Sequence, residues 1–465
     1  MKILTGITIL LIVLFAACKK DSFITSPDAR VRITADTIKY DTVFTSAGSV
    51  TQSFKIVNEN NQKLRISAVT LLGTSPSAYS INVDGIKGPV VNDLEIDAED
   101  SLYVFVQVNV DPAAGNLPFV IRDSIQVSYN GKDELVQLEA WGQNAHFLRD
   151  KQITVDEIWN NDLPYVVLGY LYVDAGKTLT INKGCRIYAH ADAPIIVDGT
   201  LKVNGEKDTI DRVYFHGDRL DEPYKNYPAA WPGIFFRETS QDNVLNYAVI
   251  NNAYQAIALQ EPAVNANPKL TLNETIIDNA YDAGIIAIHS SVTAINCLIT
   301  NCGKNIVLAQ GGDYRFNHCT VASYSNNFIL HKEPVLYVSN YVTVNNVAEA
   351  KDLTADFRNN IFWGENGSVE DEVVVAKNDG ASFDVNFNNN LWKVKTDPAP
   401  ATFLNNKNNE SPAFDSIDVS KRYYNFRLKD ISPAKDAGIA TSANIDLDGN
   451  PRPVNAPDMG SFEKQ

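Results

Sequence analysis

The chain has 465 residues, of which 45% are hydrophobic, which suits a folded protein of two or three domains. Acidic residues outnumber basic residues by 56 to 40, and no basic patch with interleaved aromatic residues stands out, so we do not expect nucleic acid as a partner. Val, Ile, Thr and Tyr alternate with Asn and Gly turns while helix signals are scarce. We therefore predict an all-β fold.

Residues 1–17 have the pattern of a signal peptide. Lys2 provides a short positive region, and the mostly apolar stretch 3–15 is too short to cross a membrane as a helix. Phe15 stands where an ordinary signal-peptidase site needs a small residue, and Cys18 follows two alanines. The stretch resembles a lipoprotein signal, which implies that Cys18 is lipidated and begins the mature chain. The alternative is an ordinary secreted protein with an incidental cysteine.

The residues after Cys18 indicate where the protein is anchored. The run Lys-Lys-Asp-Ser is similar to the signal that sends some Bacteroidetes lipoproteins to the cell surface. This resemblance implies a lipid anchor in the outer membrane and exposure at the surface, with a periplasm-facing orientation as the alternative.

About seven short alternating segments follow between residues 37 and 142, with turn signals between them. This pattern predicts a β-sandwich. The region resembles the Ig-like modules that precede β-helices in Bacteroidetes lipoproteins. It contains no cluster of acid, histidine or nucleophile, so we expect it to act as a spacer or as a cap on the next domain. A ligand-binding sandwich is the alternative.

A repeat dominates the middle of the chain. Its four clearest copies share an apolar residue, then Asn, then a short apolar strand, and they begin every 21 to 27 residues, at Leu245, Leu272, Ile295 and Phe316. Such a period predicts stacked β-coils, because one coil cannot bury its own apolar face. We expect the asparagines to form a hydrogen-bonded ladder or, alternatively, to act only as turn residues: Asn246, Asn273, Asn296 and Asn317. The repeat resembles the right-handed parallel β-helix of pectate-lyase-like proteins, and the handedness is implied by that resemblance.

The cysteines after Cys18 are Cys185, Cys297, Cys302 and Cys319. Cys297 and Cys319 fall at nearly the same point of adjacent coils, where they are either bridged or, as we favour, reduced and buried. There is no Cys-x-x-Cys pair and the histidines are scattered, so we predict no metal site of the zinc type.

One polar insertion, between the strands near residues 213–215 and 234–236, is the candidate for chemistry. Long loops on a rigid scaffold often carry function. Its aromatic and histidine side chains are the candidate ligand-binding residues, because sugar rings stack on aromatic faces: His216, Tyr224, Tyr227 and Trp231. Its catalytic candidates have the residue types of a carboxylate pair with a cation: Asp218, Arg219 and Asp221. The alternative is a structural loop whose charges pair with each other and whose Trp231 covers the edge of the core.

The C-terminal stretch 432–463 resembles the segment that closes many secreted bacterial β-helices, with matching residues that include Asp436, Gly438 and Arg452. Asp446 and Asp448 also suggest a calcium loop, but Pro stands where an EF-hand needs Gly and Glu. We predict no cofactor, and a turn closed by Asp carboxylates and Arg452 in preference to calcium.

These inferences define the predicted organisation and function. We predict five segments: signal peptide 1–17, lipidated tether 18–27, Ig-like β-sandwich 28–147, parallel β-helix 148–400 and C-terminal closing segment 401–465. We expect a non-enzymatic, surface-exposed outer-membrane lipoprotein that binds a glycan or another surface partner. The alternatives are a polysaccharide lyase or glycoside hydrolase acting on an acidic polysaccharide, and a purely structural or adhesin-like protein.

Overall fold

The computed structural model describes residues 22–44, 51–73, 77–109, 119–220 and 224–465. The chain divides into two compact units, residues 1–144 and 145–465. The predicted lipidation site Cys18 and the candidate Asp221 lie outside the described residues. Within the described ranges, no helical segment is long and apolar enough to cross a membrane.

The first unit consists of two β-sheets, with strands numbered in chain order. One sheet has the order β1 (Phe23–Ile24), β5 (Lys63–Leu71), β10 (Phe119–Tyr129), β11 (Lys132–Gln143) and β3 (Thr37–Phe44), with β8 (Val90–Ile96) also paired to β5. The other has the order β2 (Val31–Ile33), β4 (Gln52–Asn58), β9 (Ser101–Val108), β6 (Tyr79–Val83) and β7 (Ile86–Lys87). Their inward residues form a single apolar core.

Strand β9 shows why the sequence folds this way. Its residues alternate strictly, so that Leu102, Val104 and Val106 are buried while Tyr103 and Phe105 point outward. The predicted sandwich is therefore present in the first unit. Its assignment to the Ig-like modules remains a prediction.

The second unit is a β-helix whose coils place successive strands on three faces. Face I contains the later parts of β12 (His146–Ile153) and β14 (Tyr165–Val173), then β17 (Ile195–Val197), β20 (Ile234–Phe236), β23 (Gln255–Gln260), the first parts of β26 (Ala283–Ile295) and β28 (Lys304–Asn317), β30 (Leu336–Ser339) and β35 (Val373–Ala376). Face II contains β13 (Glu157–Trp159), β15 (Thr178–Asn182), β18 (Thr200–Asn204), β21 (Asn243–Asn246), β24 (Leu270–Asn273), the later parts of β26 and β28, β33 (Leu353–Arg358), β36 (Phe383–Asn388) and β38 (Thr402–Leu404).

Face III contains the early parts of β12 and β14, then β16 (Arg186–Ala189), β19 (Val213–Gly217), β22 (Ala248–Asn251), β25 (Ile276–Asp278), β27 (Leu298–Thr300), β29 (Thr320–Tyr324), β34 (Ile361–Glu365), β37 (Leu391–Trp392) and β39 (Lys407–Asn408). Strands on each face pair in parallel with the coils before and after them. Two antiparallel hairpins, β31 (Tyr341–Val344) with β32 (Val347–Ala350) and β40 (Phe414–Asp418) with β41 (Tyr423–Leu428), and one 3₁₀ turn, Tyr224–Asn226, complete the described elements. The all-β prediction and the parallel β-helix are confirmed.

At the corner between faces II and III, the asparagines of successive coils do not all align as predicted. Asn273 donates to Asn246 Oδ1 over 2.8 Å, as the ladder requires, but Asn273 pairs with Ile295 in the next coil. Asn296 stands one position later, at a corner that takes a single left-handed residue in every coil from Tyr247 onward. Asparagine tolerates this conformation well, so it recurs both at the corner and beside it.

A buried asparagine ladder does exist, one position further along the coils. Asn360 Nδ2 donates to Asn390 Oδ1 over 3.0 Å, and Asn390 Nδ2 donates to Asn406 Oδ1 over 3.1 Å. Cys297 and Cys319 occupy the same position in earlier coils, where both are buried and free, as are Cys185 and Cys302. The reduced stack that we favoured is therefore what the structure contains.

From Phe414 onward the closing segment packs against the outer side of face III, whereas its first residues, 402–408, still form the coil strands β38 and β39. Outward residues of face III, among them Leu298, Ile361 and Leu391, share an apolar cluster with Leu447 and Phe462 and with the hairpin β40–β41. Backbone and side-chain hydrogen bonds reach from this segment to several coils, including Ile439 N to Asn359 Oδ1, Asn296 Nδ2 to Ile445 O and Arg212 Nη2 to Leu447 O. The segment thus covers the sides of the coils along the helix axis.

Arg452 and Asp446 hold this segment together. The Arg452 guanidinium is buried and forms an ion pair of 2.9 Å with Glu463. Both carboxylate oxygens of Asp446 accept bonds from neighbouring N–H groups, among them Asp448 N and Glu463 N. Asp446 therefore closes a turn with its carboxylate, which is the alternative that we preferred to calcium.

Candidate functional site

The insertion leaves β19 at the corner between faces III and I and returns to the coil at β20. His216 sits at its start, half-buried. Its Nδ1 bonds to Gly217 O at 2.8 Å and its Nε2 to Asn252 Nδ2 at 2.9 Å, and burial lowers its pKa. A neutral imidazole with both nitrogens occupied has none left for a ligand. The prediction that His216 binds a ligand is therefore corrected to a structural role.

Trp231 is also a structural residue. It is 1% exposed, belongs to the main apolar core, and donates from Nε1 to Asn251 O over 2.9 Å. A bridge to Ala253 fixes its backbone to the next coil. We predicted a ligand-binding ring here, and this is wrong because the ring is inside the coil stack. The alternative expected Trp231 to cover the edge of the core, and the structure places it inside the core.

Asp218 pairs with a residue that the sequence did not point to. Its Oδ2 lies 2.6 Å from His190 Nδ1, across neighbouring coils, while its Oδ1 is buried and has no hydrogen-bond partner among the described residues. Burial raises the pKa of Asp218, and His190 and Arg219 oppose this shift. The His190 side chain is about half exposed. The pair thus presents an imidazole to solvent, backed by a buried carboxyl group.

Three aromatic rings and two guanidinium groups form a continuous surface, here called the ring cluster: Arg219, Tyr224, Tyr227, Phe328 and Arg422. Arg219 lies 3.8 Å from the centre of the Tyr224 ring, and the centres of Tyr224 and Tyr227 are 5.3 Å apart. Tyr227 lies 5.0 Å from Phe328, and Arg422 covers Phe328 at 4.9 Å. The exposed fractions of Tyr224 and Tyr227 are 42% and 37%, so both rings can be reached from solvent.

Hydrogen bonds hold the ring cluster against the coils. Asn252 Nδ2 donates to Lys225 O over 2.8 Å, and Asn279 Nδ2 donates to Asn226 O over 3.2 Å. Arg422 Nη1 donates to the same Asn226 carbonyl over 2.9 Å. The 3₁₀ turn that carries Tyr224 is therefore fixed to two coils and to the C-terminal hairpin. A ligand would meet rings that are already ordered, which lowers the entropy cost of binding.

A shallow groove of about 490 Å³ lies on the outer side of face I. Its floor is apolar, because the outward residues Ile196, Phe235, Ala258 and Ile286 follow one another in register through four coils. Polar groups stand at its margin, among them Arg237, Gln255 and Gln260. The sequence did not predict this groove. It shows which residues of a strand alternate, but not which residues of successive coils lie next to each other.

Two exposed tyrosines lie at the corner between faces III and I. Tyr254 and Tyr281 occupy the same corner of adjacent coils, stack with ring centres 5.9 Å apart, and are 46% and 52% exposed. Gln255, which lines the groove, donates to Asp282 over 2.7 Å. Exposed aromatic rings therefore recur along this corner of the β-helix.

Among the described residues, no group of three or more His, Cys, Asp or Glu side chains is arranged to hold a metal ion. Of the two predicted carboxylates, Asp218 faces His190, and Asp221 lies outside the described residues. Phe328 and Arg422 were missed because they lie far along the chain from the insertion. A single Phe and a single Arg in turns carry no sequence signal of such a contact.

Comparison with known proteins identifies the fold. A family model described as a right-handed β-helix region matches residues 157–329. No curated protein matches. A family 123 glycoside hydrolase from Clostridium perfringens is similar at 11% identity over 28% of this chain and 30% of that chain, with a TM-score of 0.21, so the alignment spans less than a third of that protein.

Two further solved structures align over more of the chain. The catalytic unit of a GH87 α-1,3-glucanase from Streptomyces thermodiastaticus is 10% identical over 81% of this chain and 91% of that chain, with a TM-score of 0.24. A GH87 α-1,3-glucanase catalytic domain in complex with nigerose is 11% identical over 78% and 88%, with a TM-score of 0.18. Scores this low carry no argument about function. The family match shows that this protein contains a right-handed parallel β-helix.

Proposed function

We propose that this protein is a non-enzymatic, carbohydrate-binding lipoprotein of the cell envelope, with the ring cluster as its binding surface. The observation that carries the proposal is the set of three aromatic rings that two separate loops place side by side and two guanidinium groups cover at either end. Aromatic faces pack against the apolar side of a sugar ring, and Arg donors suit its hydroxyl or carboxylate oxygens.

The anchoring part of the proposal rests on the sequence. A lipidated Cys18 would hold the protein in the outer membrane, and the Lys-Lys-Asp-Ser run favours the cell surface as the site of exposure. An extended coil stack displayed there would present its corner rings to polysaccharides outside the cell. Labelling of intact cells with a membrane-impermeant reagent tests the orientation, since a periplasm-facing protein would stay unlabelled.

The binding test uses residues 19–465, which is the mature chain without its lipidated Cys18, and variants Tyr224→Ala, Tyr227→Ala and their combination. Migration in affinity gels that contain plant, host and bacterial polysaccharides is measured with and without calcium. Each lost ring should weaken binding about two- to tenfold, from roughly 0.5–1.5 kcal/mol per aromatic contact. Trp141→Ala is the matched control, because that ring is 45% exposed but lies in the first unit. Equal retention of the double variant and the wild type would refute the proposal.

A polysaccharide hydrolase or lyase is the second candidate, and the Asp218–His190 pair favours it. A buried carboxyl with a raised pKa beside a half-exposed imidazole has the form of an acid–base pair. The same polysaccharides are therefore assayed for new reducing or unsaturated ends. Product release that disappears in Asp218→Asn, while binding is retained, would establish catalysis. Neither binding nor release would leave the structural or adhesin-like role.

A further inference from the structure

The first unit carries an exposed aromatic pair on the outer side of its second sheet. Tyr103 and Phe105 are neighbours on the outward side of β9, 41% and 39% exposed. Their rings are nearly parallel, with an interplanar angle of 12° and centres 5.6 Å apart. Lys55 of β4 pairs with Tyr103 of β9 and places its Nζ 4.5 Å from the centre of the Tyr103 ring. The stack is thus fixed on one side by a cation.

The other side of the stack adjoins a groove. Its volume is about 410 Å³, within the range of about 300–1,000 Å³ for small-ligand pockets, and Phe105 lines it. Asn82 of β6 pairs with Phe105 of β9, and Lys87 of β7 pairs with Asn82. One aromatic ring held in place by its neighbour therefore forms a wall of a polar cleft.

The polar groups of the groove are set up for alternate donation and acceptance. Asn82 Oδ1 accepts from Gly85 N over 2.8 Å, which directs the amide nitrogen of Asn82 to other acceptors. Gln107 Nε2 donates to Thr51 Oγ1 over 2.7 Å, which leaves Gln107 Oε1 as an acceptor. Each amide is thus oriented by a bond on one end. Neighbouring hydroxyl groups of a sugar ring offer the complementary donors and acceptors.

The charge of the groove indicates which sugar it takes. None of the described residues that line it is Asp or Glu, although the chain as a whole has a net charge of −16. Lys87 lines it and has no ion pair with any described residue. A lysine side chain without a carboxylate partner among the described residues, in an acidic protein, favours an anionic ligand.

We infer that this groove binds a sugar ring that carries a carboxylate, with Phe105 as the stacking surface and Lys87 as the carboxylate partner. The site lies in the first unit and shares no residue with the ring cluster. It is independent of the proposed function, and it assigns a ligand-binding role to a region that we had expected to be a spacer or a cap.

The test is saturation-transfer NMR on the mature chain with methyl glucuronide, methyl galacturonide and the matching neutral methyl glycosides. At about 10 mM ligand, even a Kd near 1 mM gives nearly full occupancy. We expect saturation-transfer signals from at least one uronide. Phe105→Ala should weaken the affinity for that uronide about two- to tenfold, because one aromatic contact is lost. Lys87→Gln should abolish the preference for the uronide over its neutral counterpart.

Two controls separate this site from the other surfaces. Trp141→Ala should leave uronide binding unchanged, since that exposed ring belongs to the opposite sheet. In the Tyr224→Ala, Tyr227→Ala background, where the rings of the ring cluster cannot contribute, Phe105→Ala should weaken uronide binding by the same factor. The inference is overturned if no uronide binds, if Phe105→Ala binds as well as the wild type, or if neutral and acidic sugars bind equally.

Discussion

Replacing Arg452 with Met should release the closing segment from the coils. The guanidinium side chain is 1% exposed, and its ion-pair partner Glu463 is 5% exposed. Besides that carboxylate at 2.9 Å, it donates to four further oxygens at 2.8–3.2 Å: those of Ile445, Asp458 and Gly460 in the backbone and Oδ1 of Asn296. Methionine fills much of the volume and supplies none of these donors.

The expected cost follows from that geometry. Removing one partner of a buried ion pair leaves an uncompensated charge, here on Glu463, and costs about 3–5 kcal/mol. Coils of a solenoid are stabilised mainly by their neighbours, so the loss should be confined to the segment that Arg452 holds. Local opening would then be roughly 150- to 5,000-fold more frequent, since about 1.4 kcal/mol corresponds to a factor of ten.

Hydrogen exchange measures this directly. Amide protons bonded within the segment or to face III, such as Glu463 N to Asp446 Oδ2 and Gly460 N to Asn359 O, should exchange faster by that factor. Amides inside β15 and β18 serve as the internal reference and should not change. Arg452→Lys keeps the charge, so its exchange should be faster than that of the wild type and slower than that of Arg452→Met. Unchanged exchange in Arg452→Met, or an equal increase throughout the second unit, would refute the reasoning.

Three further predictions concern single positions in the β-helix. Burial and a neighbouring guanidinium lower the pKa of His318 from 6.5 to about 2. Below about pH 6.5 the unfolded chain therefore binds more protons than the folded chain, and the stability of the fold decreases as the pH falls. In thermal melts between about pH 7 and 5, His318→Asn should lose less stability than the wild type. Asn390→Ala should cost about 2–4 kcal/mol in chemical denaturation because it breaks the buried ladder, whereas the surface change Asn386→Ala should stay within about 0.5 kcal/mol. Gly233→Ala should prevent normal folding, since its Cβ would lie 1.6 Å from a carbonyl oxygen. At Gly176 φ is also positive but the space is open, so Gly176→Ala should cost only about 1–2 kcal/mol. Similar melting temperatures for the two variants would contradict this.

The repeat predicted the fold but not its register. Spacing alone indicated stacked coils, because any short strand at a period near 22 residues must bury its apolar side on a neighbour. It misplaced Asn296 by one position, since asparagine suits both the strand end, as at Asn273, and the left-handed corner. A sequence of one chain does not distinguish these two uses. The coil pairing decides between them.

The residues of the candidate site could be predicted only in part, because some of its contacts join loops of different coils. The insertion was recognisable by its length and polarity, and Tyr224 and Tyr227 do reach solvent within it. Trp231 looked equivalent in sequence, yet it is the residue at which the chain rejoins the core. Phe328 and Arg422 complete the ring cluster from distant turns, and only the folded coil stack brings them there. Contacts between loops of different coils leave no periodic trace.

The lateral packing of the closing segment sets the order in which the molecule is completed. A chain synthesised from its N-terminus forms the coils that contain Leu298 and Ile361 before Phe462 has emerged. During that interval the outward apolar row of face III is open to solvent and to other nascent chains. We therefore expect residues 432–463 to dock last, along coils that already exist, and we expect the chain to be most exposed to aggregation and proteolysis before they dock.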